Sequence, residues 1–210
     1  QVPKEEWFAG FAKGLSARAH GKILGGDVAV GGNAVSISVT AIGEVPHGRM
    51  VRRSGARVGD RLFVTGPIGT KAAGLRVLAD PAWTAAAGES DLDELAAEYR
   101  APAIPFNDIY ARIIRDNASA AMDVSDGLLI DLERLCAASG TGARIEADAV
   151  PLHKTVRSLI EQGHFSREEA FTGGDDYVCL FAVPPQKADA LAAAGGIARC
   201  HPIGEILPQA

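Results

Sequence analysis

Met122-Asp123-Val124-Ser125-Asp126-Gly127-Leu128-Leu129-Ile130 carries an apolar strand into a carboxylate-bearing turn and out again into a helix. Residues 120–124 read as a short buried strand, and Leu128, Leu132, Leu135 and Cys136 keep helical spacing until Gly140 stops them. Outward from this stretch the alternation repeats. Upstream, residues 61–65 predict a strand broken by Gly66-Pro67, and residues 71–78 a helix. Residues 80–90, rich in Ala, Pro and Gly, read as loop or frayed helix, and residues 91–99 as a polar helix. Phe106, Ile109, Tyr110, Ile113 and Ile114 form the stripe of a core-facing helix. Downstream, residues 143–146 predict a strand, 155–162 a helix, and 177–183 a nearly all-apolar strand buried on both faces. A helix over 188–194 and a strand over 198–206 follow. Such alternation predicts an α/β, or layered α+β, fold.

The N-terminal part reads differently. Trp7, Phe8, Phe11 and Leu15 predict an amphipathic helix over about residues 3–19, and residues 21–33 form a loop with five glycines. Residues 35–41 alternate apolar and small polar side chains, the pattern of a half-buried strand. Pro46, His47 and Gly48 make a turn, which sets the expected domains at 1–46 and 47–210.

The 210 residues are 47% hydrophobic and 22% charged, the balance of a globular protein with a substantial core. A net charge of -5 argues against a nucleic-acid-coating surface. No apolar run reaches the roughly 18 residues of a membrane span. Cys136, Cys179 and Cys200 show neither a disulfide framework nor a zinc spacing, and Cys136 and Cys179 read as core thiols in a reducing cytosol. The five histidines have no metal-like spacing, and Ser125 has no paired His that would make a hydrolase triad.

The chemistry sits on three glycine–carboxylate clusters: Gly25-Gly26-Asp27, Asp123-Val124-Ser125-Asp126-Gly127 and Gly173-Gly174-Asp175-Asp176-Tyr177. Mg²⁺ takes one or two carboxylates, waters and substrate phosphates, so carboxylates on glycine turns beside apolar segments point to nucleotide chemistry. Helix N–H groups at the Ser125-Asp126-Gly127 turn would favour an anion there. Ser125 or Asp126 acting simply as helix N-cap accounts equally well for that turn. Adjacent Asp175 and Asp176 repel unless a cation or donor is near. Arg52-Arg53-Ser54-Gly55-Ala56-Arg57 offers guanidinium groups for phosphate.

Taken in order, Gly25-Gly26-Asp27, Arg53-Ser54-Gly55-Ala56 with Gly59-Asp60, Asp123-Val124-Ser125-Asp126-Gly127-Leu128 and Gly173-Gly174-Asp175-Asp176-Tyr177 resemble the thiamine-monophosphate kinase family. That family lies in the superfamily of aminoimidazole ribonucleotide synthetase, selenophosphate synthetase and a hydrogenase maturation factor. The resemblance covers almost the whole chain. It implies that residues 1–46 end an N-terminal ATP-binding dimerisation domain and that 47–210 form a C-terminal α/β domain. It implies a cytoplasmic homodimer that transfers the ATP γ-phosphoryl group to thiamine monophosphate with Mg²⁺, giving thiamine diphosphate. Gly26, Asp27, Arg53 and Ser125 would contact ATP; Asp27, Asp123 and Asp126 would hold Mg²⁺; Asp175 would meet the thiamine phosphate. No residue would act as general base.

The chain departs from the family pattern at Val28-Ala29-Val30, where polar residues are usual, at Gly69-Thr70-Lys71 in place of Gly-Asp, and in residues 102–107, which lack an arginine. Family segments before Gln1 and after Ala210 are expected but missing, so the 210 residues are expected to bind substrates poorly alone. Two alternatives follow from the same features: another ATP-using synthetase of the superfamily, or a non-catalytic nucleotide-binding dimerisation module.

Overall fold

The computed structural model describes residues 5–18, 23–29, 34–87, 91–104, 108–193 and 199–209. The chain divides into a unit of Gln1–Glu44 and a larger unit of Val45–Ala210. In the first, α1 (Glu5–Arg18) forms as expected, with Trp7 and Phe11 stacked at 5.5 Å one helical turn apart. The strand expected over 35–41 is not formed: the segment is irregular and exposed, without a ladder partner among the described residues. Alternation specifies a face, but a strand also needs a neighbour to take its N–H and C=O groups. Of the glycine loop, Gly21, Gly31 and Gly32 lie outside the described residues.

The larger unit contains β1 (Arg61–Val64), α2 (Thr70–Ala79), α3 (Pro81–Ala87), α4 (Leu92–Arg100), α5 (Asp108–Asn117), β2 (Ala120–Asp123) and α6 (Leu128–Ser139). It continues with β3 (Thr141–Ile145), α7 (Lys154–Glu161), α8 (Arg167–Thr172), β4 (Cys179–Val183), α9 (Pro185–Ala193) and β5 (His201–Pro208). The strands make one sheet in the order β2-β4-β1-β5-β3, every pair antiparallel. The layered α/β expectation holds.

Successive residues of the central strands point to opposite faces, and both faces are covered. Leu62, Val64, Leu180 and Ala182 join a core built with α2, α4, α6 and α7. Phe63, Phe181 and Val183 join a second core with Tyr110 and Ile114 of α5 and Ala188 and Leu191 of α9. This double burial is why β1 and β4 read as unbroken apolar runs. Phe63 pairs with Phe181 in register, and their rings stack at 5.6 Å.

Three local points sharpen or correct the expectations. Residues 81–87 are helical, because Asp80 caps the stretch, its Oδ1 accepting the Trp83 N–H at 2.9 Å, and alanine propagates it. Helix α8 was not expected, although Ser166 and Glu169 form a capping box readable in the sequence. Strand β4 starts at Cys179 rather than 177, since Tyr177 has φ 53° and cannot extend the strand. Phe106, Ala194 and Ala198 lie outside the described residues.

Phe63→Ala is expected to cost about 3–5 kcal/mol, because a fully buried ring is lost from a sheet face that cannot collapse. A urea-denaturation midpoint lowered accordingly, at unchanged m-value, is the check.

Candidate functional site

Strand β2 delivers Asp123 to the end of the sheet, where it pairs with Cys179 of β4. The Asp123 side chain is exposed and has no hydrogen-bond partner among the described residues. The chain then turns through Ser125, Asp126 and Gly127 into α6. The N-cap of α6 is Gly127, with no side-chain cap, so neither Ser125 nor Asp126 caps this helix.

The cap comes from inside the helix. Asp131, four residues beyond Gly127, is fully buried, and its Oδ2 accepts the N–H groups of Ser125 and Asp126 at 3.0 Å and of Gly127 at 3.3 Å. Its Oδ1 accepts from Arg134 Nη1 at 2.8 Å, and Arg134 also donates to Asp126. Asp131 therefore takes the N–H groups that the sequence reading reserved for an anion, and turns the Asp126 carboxylate outward. The sequence reading missed Asp131 because a lone Asp one turn into a helix carries no signal of its own.

The Gly173–Tyr177 loop is bonded to this turn. Asp175 N–H donates to Ser125 O and Tyr177 N–H to Val124 O, both at 2.8 Å, while Val124 N–H donates to Val178 O. Contact is so close that a Cβ on Gly174 would lie 2.4 Å from Ser125 O, and one on Gly127 would lie 2.6 Å from Thr172 O. Asp175 and Tyr177 both adopt left-handed backbone, φ 68° and 53°, which costs non-glycine residues about 1–3 kcal/mol each. Tyr177 donates its hydroxyl to Asp175 Oδ1 at 2.9 Å. That bond, then burial, then the charges of Asp175 and Asp123 hold the Tyr177 phenol above its ordinary pKa.

Asp176 points the other way, into the protein. Its carboxylate accepts Gly69 N–H at 2.6 Å and Lys71 N–H at 3.3 Å, so it serves the free N–H groups that start α2. Burial pushes its pKa up to about 6, against those two bonds and the Lys71 charge. Lys71 is itself buried and paired with Glu98 at 2.9 Å. With Thr70, whose buried Oγ1 has no hydrogen-bond partner among the described residues, they line part of a cavity of about 180 Å³. The neighbouring Asp175–Asp176 charges are thus separated by direction: one is buried against a helix start, the other faces the turn.

Arg53 is exposed on a loop held to β2. Ala121 N–H donates to Arg52 O at 2.9 Å, and Ser139 Oγ accepts the N–H groups of Gly55 and Ala56 at 3.2 Å. Asp27 and Gly26 belong to the first unit, are exposed, and stand beside Val28, whose N–H donates to Asp27 Oδ1. Of the expected residues, Asp123, Ser125, Asp126 and Asp175 are gathered on two bonded loops, with the Arg53 loop tied to the strand that leads into them. An open depression of about 480 Å³, lined by Asp126, Leu129, Ile130, Glu133 and Thr172, lies beside the turn. Among the described residues no three acid, His or Cys side chains close on one metal position. The exposed carboxylates of Asp123 and Asp126 are of the kind Mg²⁺ takes, which fills its remaining positions with water and phosphate.

Residues 57–210 match the family model described as AIR synthase related protein, C-terminal domain. The chain belongs to this family. Within the AIR synthase related proteins it is similar to the thiamine-monophosphate kinase of Salmonella typhimurium, 36% identical over 91% of this chain and 58% of that protein. A thiamine-monophosphate kinase structure from Stenotrophomonas maltophilia superposes with TM-score 0.66 at 32% identity, over 79% of this chain and 52% of that one. A structure of AaThiL complexed with AMPPCP and TMP gives TM-score 0.63 at 30% identity, over 76% and 48%. The chain spans about half the length of the curated relatives it matches. No described helix is long and apolar enough to cross a membrane.

Two outcomes test this geometry. Asp131→Ala is expected to destabilise the larger unit by about 3 kcal/mol, since three N–H groups of a buried turn lose their acceptor; thermal and urea denaturation measure it. Native Asp176 keeps its proton up to about pH 6, whereas the unfolded chain releases it near 3.8. Over that window the native state binds more protons, so its stability falls by about 3 kcal/mol as pH rises. Asp176→Asn is expected to remove this slope from urea denaturation followed between about pH 4 and 7.

Proposed function

We propose that the intact protein is a thiamine-monophosphate kinase, moving the γ-phosphoryl group of ATP directly to the phosphate of thiamine monophosphate to give thiamine diphosphate. The observation that carries this reading is the bonding of the Asp123–Gly127 turn to the Gly173–Tyr177 loop through Ser125 O and Val124 O. Carboxylates suited to a cation on phosphate are thereby fixed beside a loop suited to the acceptor. The likeness to thiamine-monophosphate kinases supports the choice of acceptor.

In this reading Asp123, Asp126 and Asp27 hold Mg²⁺, which supplies charge neutralisation on the phosphates. Gly26, Asp27, Arg53 and Ser125 bind ATP, Arg53 by donating to phosphate oxygens. Asp175, its carboxylate oriented by the Tyr177 hydroxyl, lies at the thiamine phosphate. The acceptor is already an ionised phosphate, so no residue need remove a proton. The work of the chain is alignment of donor and acceptor. Residues 1–46 complete an N-terminal domain that pairs in a cytoplasmic homodimer, and the exposed alternation of Val35, Ile37 and Val39 supports a partner there.

The test is turnover of the intact protein with ATP, MgCl₂ and thiamine monophosphate, beside aminoimidazole-ribonucleotide and selenide acceptor systems. Thiamine diphosphate is the expected product. Binding of nucleotide without any product, or turnover only with another acceptor, overturns the reading. Asp123→Asn and Asp126→Asn are each expected to lower kcat at least about tenfold through lost charge neutralisation; near-normal turnover would remove those residues from the site.

A further inference from the structure

Asp126 and Asp131 share one guanidinium, and they hold it on unequal terms. Arg134 lies on the second turn of α6, three residues beyond Asp131 and eight beyond Asp126. Asp131 is fully buried and engaged by three backbone N–H groups besides the Arg134 bond at 2.8 Å. The Asp126 side chain is 55% exposed and has Arg134 as its only partner among the described residues. Arg134 is itself 43% exposed. One contact is anchored in the fold; the other is an exposed ion pair, the kind that solvent and salt weaken.

We infer that Arg134 is a tethered counter-ion, resting on the Asp126 carboxylate until a divalent cation displaces it and remaining held by Asp131 throughout. This rests on the proposed role of Asp126 as a cation ligand. Arg134 donates to Oδ2 of Asp126, one of the two oxygens of the carboxylate that the cation would use. A guanidinium and a metal ion compete for that carboxylate, because like charges at contact distance repel. Asp131 cannot release its share, since withdrawing a partner from a buried carboxylate is far costlier than breaking an exposed pair. The residue therefore tunes how much cation the turn requires and keeps Asp126 neutralised in the cation's absence.

The experiment titrates the intact protein with Mn²⁺, followed by electron paramagnetic resonance, without nucleotide and at low ionic strength. Arg134→Gln keeps an N–H donor for Asp131 while removing the charge; Arg134→Lys keeps the charge. The Gln variant is expected to bind Mn²⁺ roughly two- to fivefold more tightly than the unaltered protein, the scale of an exposed pair. The Lys variant is expected to stay near the unaltered value. The gain should vanish in an Asp126→Asn background, where there is no pair to break. Equal or weaker binding by Arg134→Gln, or a gain that persists beside Asp126→Asn, overturns the inference while leaving the kinase reading intact. Failure of the unaltered protein to bind Mn²⁺ with or without ATP overturns the cation role of Asp126 itself, and this inference with it.

Discussion

A carboxylate with no exposure to solvent must be satisfied by donors, and Asp131 finds them in the three consecutive N–H groups of the turn that precedes its own helix. The bonds work in both directions. They compensate the burial of the charge, and they bend Ser125, Asp126 and Gly127 into the one arc whose N–H groups converge on a single oxygen. Once that arc is set, Ser125 O and Val124 O face the Gly173–Tyr177 loop and the Asp126 side chain faces out. Had Ser125 or Asp126 capped α6 in the ordinary way, its side-chain oxygen would have been spent on the helix and withdrawn from any ligand. An internal cap leaves the turn's own side chains available.

The second loop inherits its shape from the first. Left-handed backbone at Asp175 and Tyr177 is unfavourable, and only tertiary bonds can hold it. Asp175 and Tyr177 donate their N–H groups to the turn, and between them Asp176 reaches inward to the start of α2. The strain and the inward anchor are one device: alternate residues of the loop are pinned to opposite sides, so its middle cannot relax into a strand. This explains why β4 begins two residues later than its apolar composition implies, and why an acidic side chain tolerates burial at the edge of a cavity.

What was legible in the sequence follows from which interactions are local. Leu128, Leu132 and Leu135 announce α6 because helical spacing is a local property, and the apolar runs of β1 and β4 announce two covered faces. The strand–turn–helix order around Asp123 and Asp126 was legible for the same reason. Asp131 was not, because its role depends on bonds that exist only after the turn has formed. Nor could the pair Asp175-Asp176 be resolved into an outward and an inward carboxylate: identical side chains at adjacent positions differ only through what packs beside them. Helix α8 is a different case, since Ser166 and Glu169 spell a capping box, which is a local signal.

Residues 35–41 show the same limit from the other side. Val35, Ile37 and Val39 are at least half exposed, and alternate with Ser36, Ser38 and Thr40. Period-2 alternation is worth keeping in a sequence only where one face is covered, and extended backbone is stable only where its polar groups are paired. Both requirements are unmet among the described residues of the first unit. The larger unit makes no such demand, because its central strands are paired on both edges and covered on both faces. The pattern at 35–41 therefore encodes half of an interaction. Under the proposed reading the other half comes from the remainder of an N-terminal domain and from a second copy of the chain, which is where the carboxylate of Asp27, just upstream, would also acquire its neighbours.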